Sequence, residues 1–275
     1  MSVDQTPTPG SALWVLAHPR RSSLNGHLYR AGVEALSRDH DVATSDLYEL
    51  GFDPVLGARD LGELADRPGN LATLAGEAYA RGQTAPDVRA EHEKVARAEL
   101  LVLQFPLWWY GPPAILKGWL DRTFTEGFAY DNGLDPVLGL PRRYGDGGLT
   151  RRKALIVVTV GEDERTLGPR GVSGDLDSLL FPLTHGALWY VGIEALDLHV
   201  VHDADSLDAA AADREAQRLR ARLAGIGTER GRPFRRLRDG DYPSDLRALH
   251  PDLLPGRTDL GIHRAEAPGS LGLPA

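Results

Sequence analysis

The chain has 275 residues, a mass of 29.9 kDa, a net charge of −8 and a pI near 5.6. That acid surplus argues against a general nucleic-acid binder. The lack of cysteine removes disulfides, thiolate metal sites, cysteine nucleophiles and redox dithiols together. Residues 1–10 are polar and Pro-rich, without the basic and apolar stretches of a signal peptide, and are expected to be a flexible N-terminus. The most apolar run, residues 154–160, falls far short of the roughly 20 residues that span a bilayer. The expectation is a cytoplasmic protein with no membrane insertion.

In chain order, residues 12–17 (ALWVLA) form a short apolar run that stops at His18-Pro19, as a buried strand does. Ser22, Ser23 and Asn25 are N-cap types. Leu24, Leu28, Ala31 and Ala35 then recur at helical spacing, predicting a helix to about Ser37. Residues 41–47 alternate as a second strand, and residues 48–85 read as irregular. A helix is predicted over 86–98 and a third strand over 100–105 (LLVLQF). A helix primed by Pro112 and Pro113 follows. Residues 154–160 make the fourth strand, 175–190 a helix, 195–201 the fifth strand and 209–223 the last helix. Strands alternating with helices predict an α/β fold with a five-stranded parallel sheet flanked by helices. The core domain is placed at 11–225, and residues 226–275 are read as an irregular C-terminal extension.

Ligands of such sheets sit beyond the carboxyl ends of the strands. The first loop, residues 18–25, ends at a helix N-terminus, where exposed N–H groups and the helix dipole favour an anion. Its serines serve equally as plain N-caps. No G-x-G-x-x-G stands at this loop, and no Walker motif occurs anywhere, so a bound nucleotide is not held in those ways. The loop after the third strand carries Pro106, Leu107, Trp108, Trp109, Tyr110 and Gly111. Such aromatics can clamp a flat ring such as a flavin, or form an ordinary packing cluster. After the fourth strand, Thr159, Gly161 and Glu162 could bond ring heteroatoms or form a polar turn. Phe128, Ala129 and Tyr130 could wall a pocket. His199 and His202 point to opposite faces of a strand, so no metal pair is expected. Arg232, Arg235, Arg236 and Arg238 read as a solvated face, or as an attractor for a dinucleotide phosphate.

Two stretches, residues 18–25 (HPRRSSLN) and 104–119 (QFPLWWYGPPAILKGW), resemble the NAD(P)H:quinone oxidoreductases of the DT-diaphorase type. The resemblance covers about residues 12–223. It implies a flavodoxin-like fold, a bound FAD rather than FMN, and a homodimer with sites at its interface. It also implies ping-pong hydride transfer from NAD(P)H to quinones. By the same resemblance His18, Leu24 and Asn25, with Ser22 and Ser23, lie at the FAD pyrophosphate. Pro106, Leu107, Trp108, Trp109 and Tyr110 would line the isoalloxazine, and Thr159, Val160, Gly161 and Glu162 its polar edge. Tyr130 would wall the substrate pocket and Arg214 would meet the adenine end. Trp109, Tyr130 and Ser173 are the implied catalytic residues. The family pattern has Gln where Trp108 stands and often Gly where Glu162 stands. The animal members have Tyr and His where Leu167 and Ser173 stand near the flavin ring. An azo- or nitro-compound reductase and a pathway-specific flavin reductase are alternatives within the class. A flavodoxin-like electron carrier and a regulatory ancillary subunit are alternatives outside it.

Overall fold

The computed structural model describes residues 6–136, 138–243 and 246–265. Residues 1–5 of the expected tail and 266–275 of the expected extension lie outside the described residues. Of the tail, Thr8 donates its N–H to Arg97 O at 2.8 Å.

β1 (Ser11–Leu16), β2 (Asp41–Asp46), β3 (Leu100–Pro106) and β4 (Arg152–Thr159) form a parallel sheet in the order β2-β1-β3-β4. Both faces of the central strands are covered, so β1 and β3 are buried throughout and, apart from Ser11 and Gln104, apolar without alternation. The pleat splits their side chains between two cores. Leu13, Val15, Leu101, Leu103, Ile156 and Val158 face one layer; Trp14, Leu16, Val102, Leu155 and Val157 face the other. The second layer is roofed by α1 (Leu24–Leu36) and α6 (Ala209–Ala224).

The irregular reading of 48–85 is corrected. It contains α2 (Leu71–Ala80), capped by Asn70, whose side chain accepts from the N–H groups of Ala72 and Thr73. The helices predicted next are α3 (Pro86–Arg97) and α4 (Ala114–Thr123). The helix expected over 175–190 is not continuous. A four-residue α5 (Leu176–Leu179) gives way to a π-helical stretch, Pro182–Trp189, because Pro182 has no N–H for an α-helical bond.

The fifth strand is also interrupted. β5 (Ile193–Ala195) and β6 (His199–Val201) both pair with β4. Ala195 lies opposite Ala154, yet His199 lies opposite Val157. One residue more lies on the edge strand than on β4 between those pairs, which is a bulge. The sheet thus has five strand positions, the last made of two pieces.

The extension is bolted to the body. The four arginines read as a solvated face are all paired. Arg232 meets Asp177 and Asp197, Arg235 meets Asp241, and Arg236 and Arg238 both meet Asp146. Phe234, Phe181, His185 and His263 pack ring to ring, joining the extension to the π-helical stretch. No helix of the described residues is long and apolar enough to cross a membrane.

Candidate functional site

The strand order reverses direction between β1 and β3, and in sheets of this kind the ligand crevice lies at that reversal, beyond the carboxyl ends. Three loops meet at that end. In the first, Ser23 caps α1, its Oγ accepting from the Gly26 N–H at 3.2 Å. A Cβ at Gly26 would sit 2.0 Å from Arg21 O, so only glycine lets the loop close this tightly on the helix. His18 Nδ1 lies 3.0 Å from Ser23 Oγ and 3.1 Å from the Arg20 N–H. Burial, with Arg20 beside it, lowers the His18 pKa and favours the neutral ring. Ser22 is exposed and Leu24 half-buried at the mouth of this loop. The N–H groups of Leu24 and Asn25, at the start of α1, have no intrahelical partner, as at any helix start.

Asn25 turns the other way. Its amide donates to Thr159 Oγ1 at 2.8 Å, while Gln104 Nε2 donates to Asn25 O at 2.7 Å. Trp14 Nε1 donates to Gln104 Oε1 at 2.9 Å. These buried bonds knit β1, α1, β3 and β4 together under the crevice. Asn25 and Thr159 therefore brace the floor with their side chains.

The second loop is a two-residue turn. Trp108 and Gly111 exchange backbone hydrogen bonds at 3.1 Å, and Trp109 and Tyr110 stand between them at φ 51° and 60°. Neither is glycine or asparagine, so the turn holds about 1–3 kcal/mol of strain at each. Trp109 is 97% exposed and Trp108 and Tyr110 are partly so. Leu107 is half-buried against the core, its N–H donating to Thr159 O at 2.9 Å, and Pro106 is buried at the end of β3.

In the third loop, Val160 is buried in the core and Gly161 lies against Asp205. Among the described residues no backbone carbonyl takes the N–H groups of Gly161 and Glu162. Tyr110 OH donates to Glu162 Oε1 at 3.0 Å and lies 3.1 Å from Ser173 Oγ. Leu167 does not join this group. Its side chain is 4% exposed and belongs to the apolar core, so a ligand-facing role for it is not what the geometry favours.

A groove of about 650 Å³ runs from Tyr110 between α4 and the π-helical stretch. Tyr130 and Tyr190 line it, with ring centroids 5.7 Å apart. Burial, followed by Glu126 and Tyr190, raises the Tyr130 pKa and keeps its hydroxyl protonated. Tyr190 was not singled out in the sequence, because nothing local marks a residue 60 positions from its partner. Arg214 is exposed on α6, one residue from Asp213, which pairs with His27 of α1 at 3.0 Å. Arg214 thus lies in the second turn of α6, next in sequence to the residue that pairs with α1.

A reversal-point crevice with a capped helix start and an aromatic turn defines a flavodoxin-like α/β protein. The flavodoxin-like fold family, Flavodoxin_2, matches residues 11–223. A ribosyldihydronicotinamide dehydrogenase-like protein of Penicillium crustosum is 37% identical over 240 residues, 86% of this chain and 89% of its own. The human ribosyldihydronicotinamide dehydrogenase [quinone] is 37% identical over 67% of this chain and 78% of its own. A Klebsiella pneumoniae crystal structure, of a protein assigned as a quinone reductase, shares 36% identity with a TM-score of 0.86, covering 93% of this chain and 99% of that one. The chain belongs to this family of flavodoxin-like quinone oxidoreductases.

Proposed function

We propose that the protein catalyses FAD-dependent, two-electron reduction of quinones or related acceptors by NAD(P)H, in a ping-pong hydride transfer. The observation that carries this reading is the strained, exposed turn Trp108–Gly111, set beside the open start of α1 at the sheet's reversal point. Strain held in an exposed aromatic turn is repaid when a flat ring stacks on it. The residues present fit a flavin on the evidence of free N–H groups at Gly161 and Glu162, next to that turn. Bound flavin supplies the hydride chemistry. The chain's own part is to bind and orient.

His18, Ser22, Ser23, Leu24 and the α1 N–H groups would hold the pyrophosphate, with Asn25 bracing them from below. Pro106 to Tyr110 would bed the ring, and the N–H groups of Gly161 and Glu162 would meet its polar edge, with Thr159 and Val160 fixing their height. Arg214 would face the adenine end, which favours FAD over the shorter FMN. Tyr130 would wall the acceptor groove. A second copy of the chain, covering Trp109 and the apolar groove, would complete the site as a homodimer.

The reading is tested by reconstituting the protein with FAD or FMN and comparing turnover on benzoquinones, azo dyes and nitroaromatics, with NADH and NADPH in turn. Retention of FAD with quinones reduced fastest supports it. Retention of neither flavin overturns it.

A further inference from the structure

Tyr110, Glu162 and Ser173 come from three different loops and meet in one hydrogen-bonded line. Tyr110 has a single proton to give. With Glu162 ionised, that proton goes to Glu162 Oε1 at 3.0 Å, so at 3.1 Å Ser173 must donate to Tyr110. The line then runs inward, from Ser173 to Tyr110 to Glu162. A proton placed on Glu162 reverses it: Glu162 donates to Tyr110, Tyr110 donates to Ser173, and the Ser173 O–H is released to point outward. The other carboxylate oxygen, Oε2, is buried with no hydrogen-bond partner, so the charge is not spent on another protein donor. The nearby charged and titratable groups leave Glu162 without a cation of its own. Asp163 pairs with Arg165, Asp203 offers its backbone N–H to Glu162 O at 3.2 Å, Asp205 lies against Gly161, and His202 Nδ1 is 3.4 Å from the same carbonyl.

We propose that this line is a proton relay, with Ser173 as the catalytic residue that meets the acceptor and Tyr110 and Glu162 acting through it. The proposal rests on the quinone-reductase reading and deepens it. Reducing a quinone to its diol requires a hydride, which carries both electrons, and one proton. The hydride comes from NAD(P)H by way of the flavin. The proton passes from Ser173 Oγ to the acceptor oxygen, Ser173 is refilled from Tyr110, Tyr110 from Glu162, and Glu162 from water. No further oxidant or reductant is needed.

The test compares two acceptors in the FAD-loaded protein. Benzoquinone needs a proton as it is reduced; ferricyanide takes an electron and no proton. Flavin is bleached anaerobically with NAD(P)H, and the return of its colour is timed with each acceptor. In Glu162→Gln, Tyr110→Phe and Ser173→Ala the ratio of the quinone rate to the ferricyanide rate should fall about tenfold or more. Equal slowing with both acceptors would show a structural role and overturn the relay, as would an unchanged ratio. A second reading needs no flavin. The infrared carboxylate band of Glu162, isolated by subtracting Glu162→Gln, should move in Tyr110→Phe and also in Ser173→Ala. A band indifferent to Ser173→Ala breaks the line. Wild-type flavin that fails to bleach with either nucleotide is a different result: it overturns the quinone-reductase reading, and the relay's role with it.

Discussion

Two polar regions at opposite ends of α4 are built on opposite terms. Toward its C-terminus, the Arg122 guanidinium is fully buried and bonds Asp60 at 2.7 Å, Asp87 at 2.7 Å and Asp53 O at 2.8 Å. Its charge and donors are matched by carboxylates and a carbonyl. Before its N-terminus, the turn at Trp109 and Tyr110 is exposed and strained, beside free backbone donors. The first region keeps its groups satisfied within the chain, and so contributes stability. The second leaves them open, and under the proposed function its strain is offset by the flat ring that binds there. Asp87 records the contrast: burial would raise its pKa, but the hydrogen bonds and charge of Arg122 more than offset this and lower it.

The comparison is broken most sharply by Arg122→Ala. It leaves Asp60 buried without its cation, and should cost about 3–5 kcal/mol in urea unfolding. A midpoint close to wild type would show that the cluster is not structural.

Acid should act next. Burial lowers the pKa of His92 to about 4, of His185 to about 4 and of His199 to about 3, against 6.5 for the free side chain. For His185 the charge of His263 adds to burial, and for His199 the charges of Arg218 and Arg222. In each case the unfolded chain binds the proton first. Stability is therefore whole above pH 6.5 and falls as pH drops toward 4 and then 3, by at most about 3 kcal/mol each for His92 and His185 and about 5 kcal/mol for His199. His92→Gln should flatten part of that slope, and an unchanged slope would remove His92 from the account.

Trp109→Gly sharpens the comparison with the smallest and most telling effect. It removes a side chain that packs on almost nothing and relieves φ 51°. Stability should rise by about 1 kcal/mol while flavin affinity falls about tenfold. Loss of both together would mean that the turn is an ordinary structural element.

Much of this fold can be read along the chain, because buried parallel strands leave continuous apolar runs, as at residues 100–105. The Asp175 cap that starts α5 is legible too; the π-helical continuation is not, since it depends on Pro182 meeting the packing of His185 and Trp189. The bulge at Leu196–Leu198 is set by pairing with β4 and has no local signature. α2 was hidden because Gly76 interrupts its pattern and only Leu74, Ala78 and Tyr79 are buried. Within the site, the loops could be located from their strands, but not the direction of their side chains. Asn25 and Leu167 turn inward, and Tyr110 finds Ser173 across 63 positions, which only the tertiary fold arranges.

The most direct test of the central claim is the visible absorption of the purified, flavin-reconstituted protein under anaerobic conditions, before and after NADPH and then NADH. The account predicts a bound flavin band that bleaches with at least one nucleotide and returns when a quinone is added. A flavin that stays coloured with both nucleotides, or a protein that retains no flavin, would contradict it.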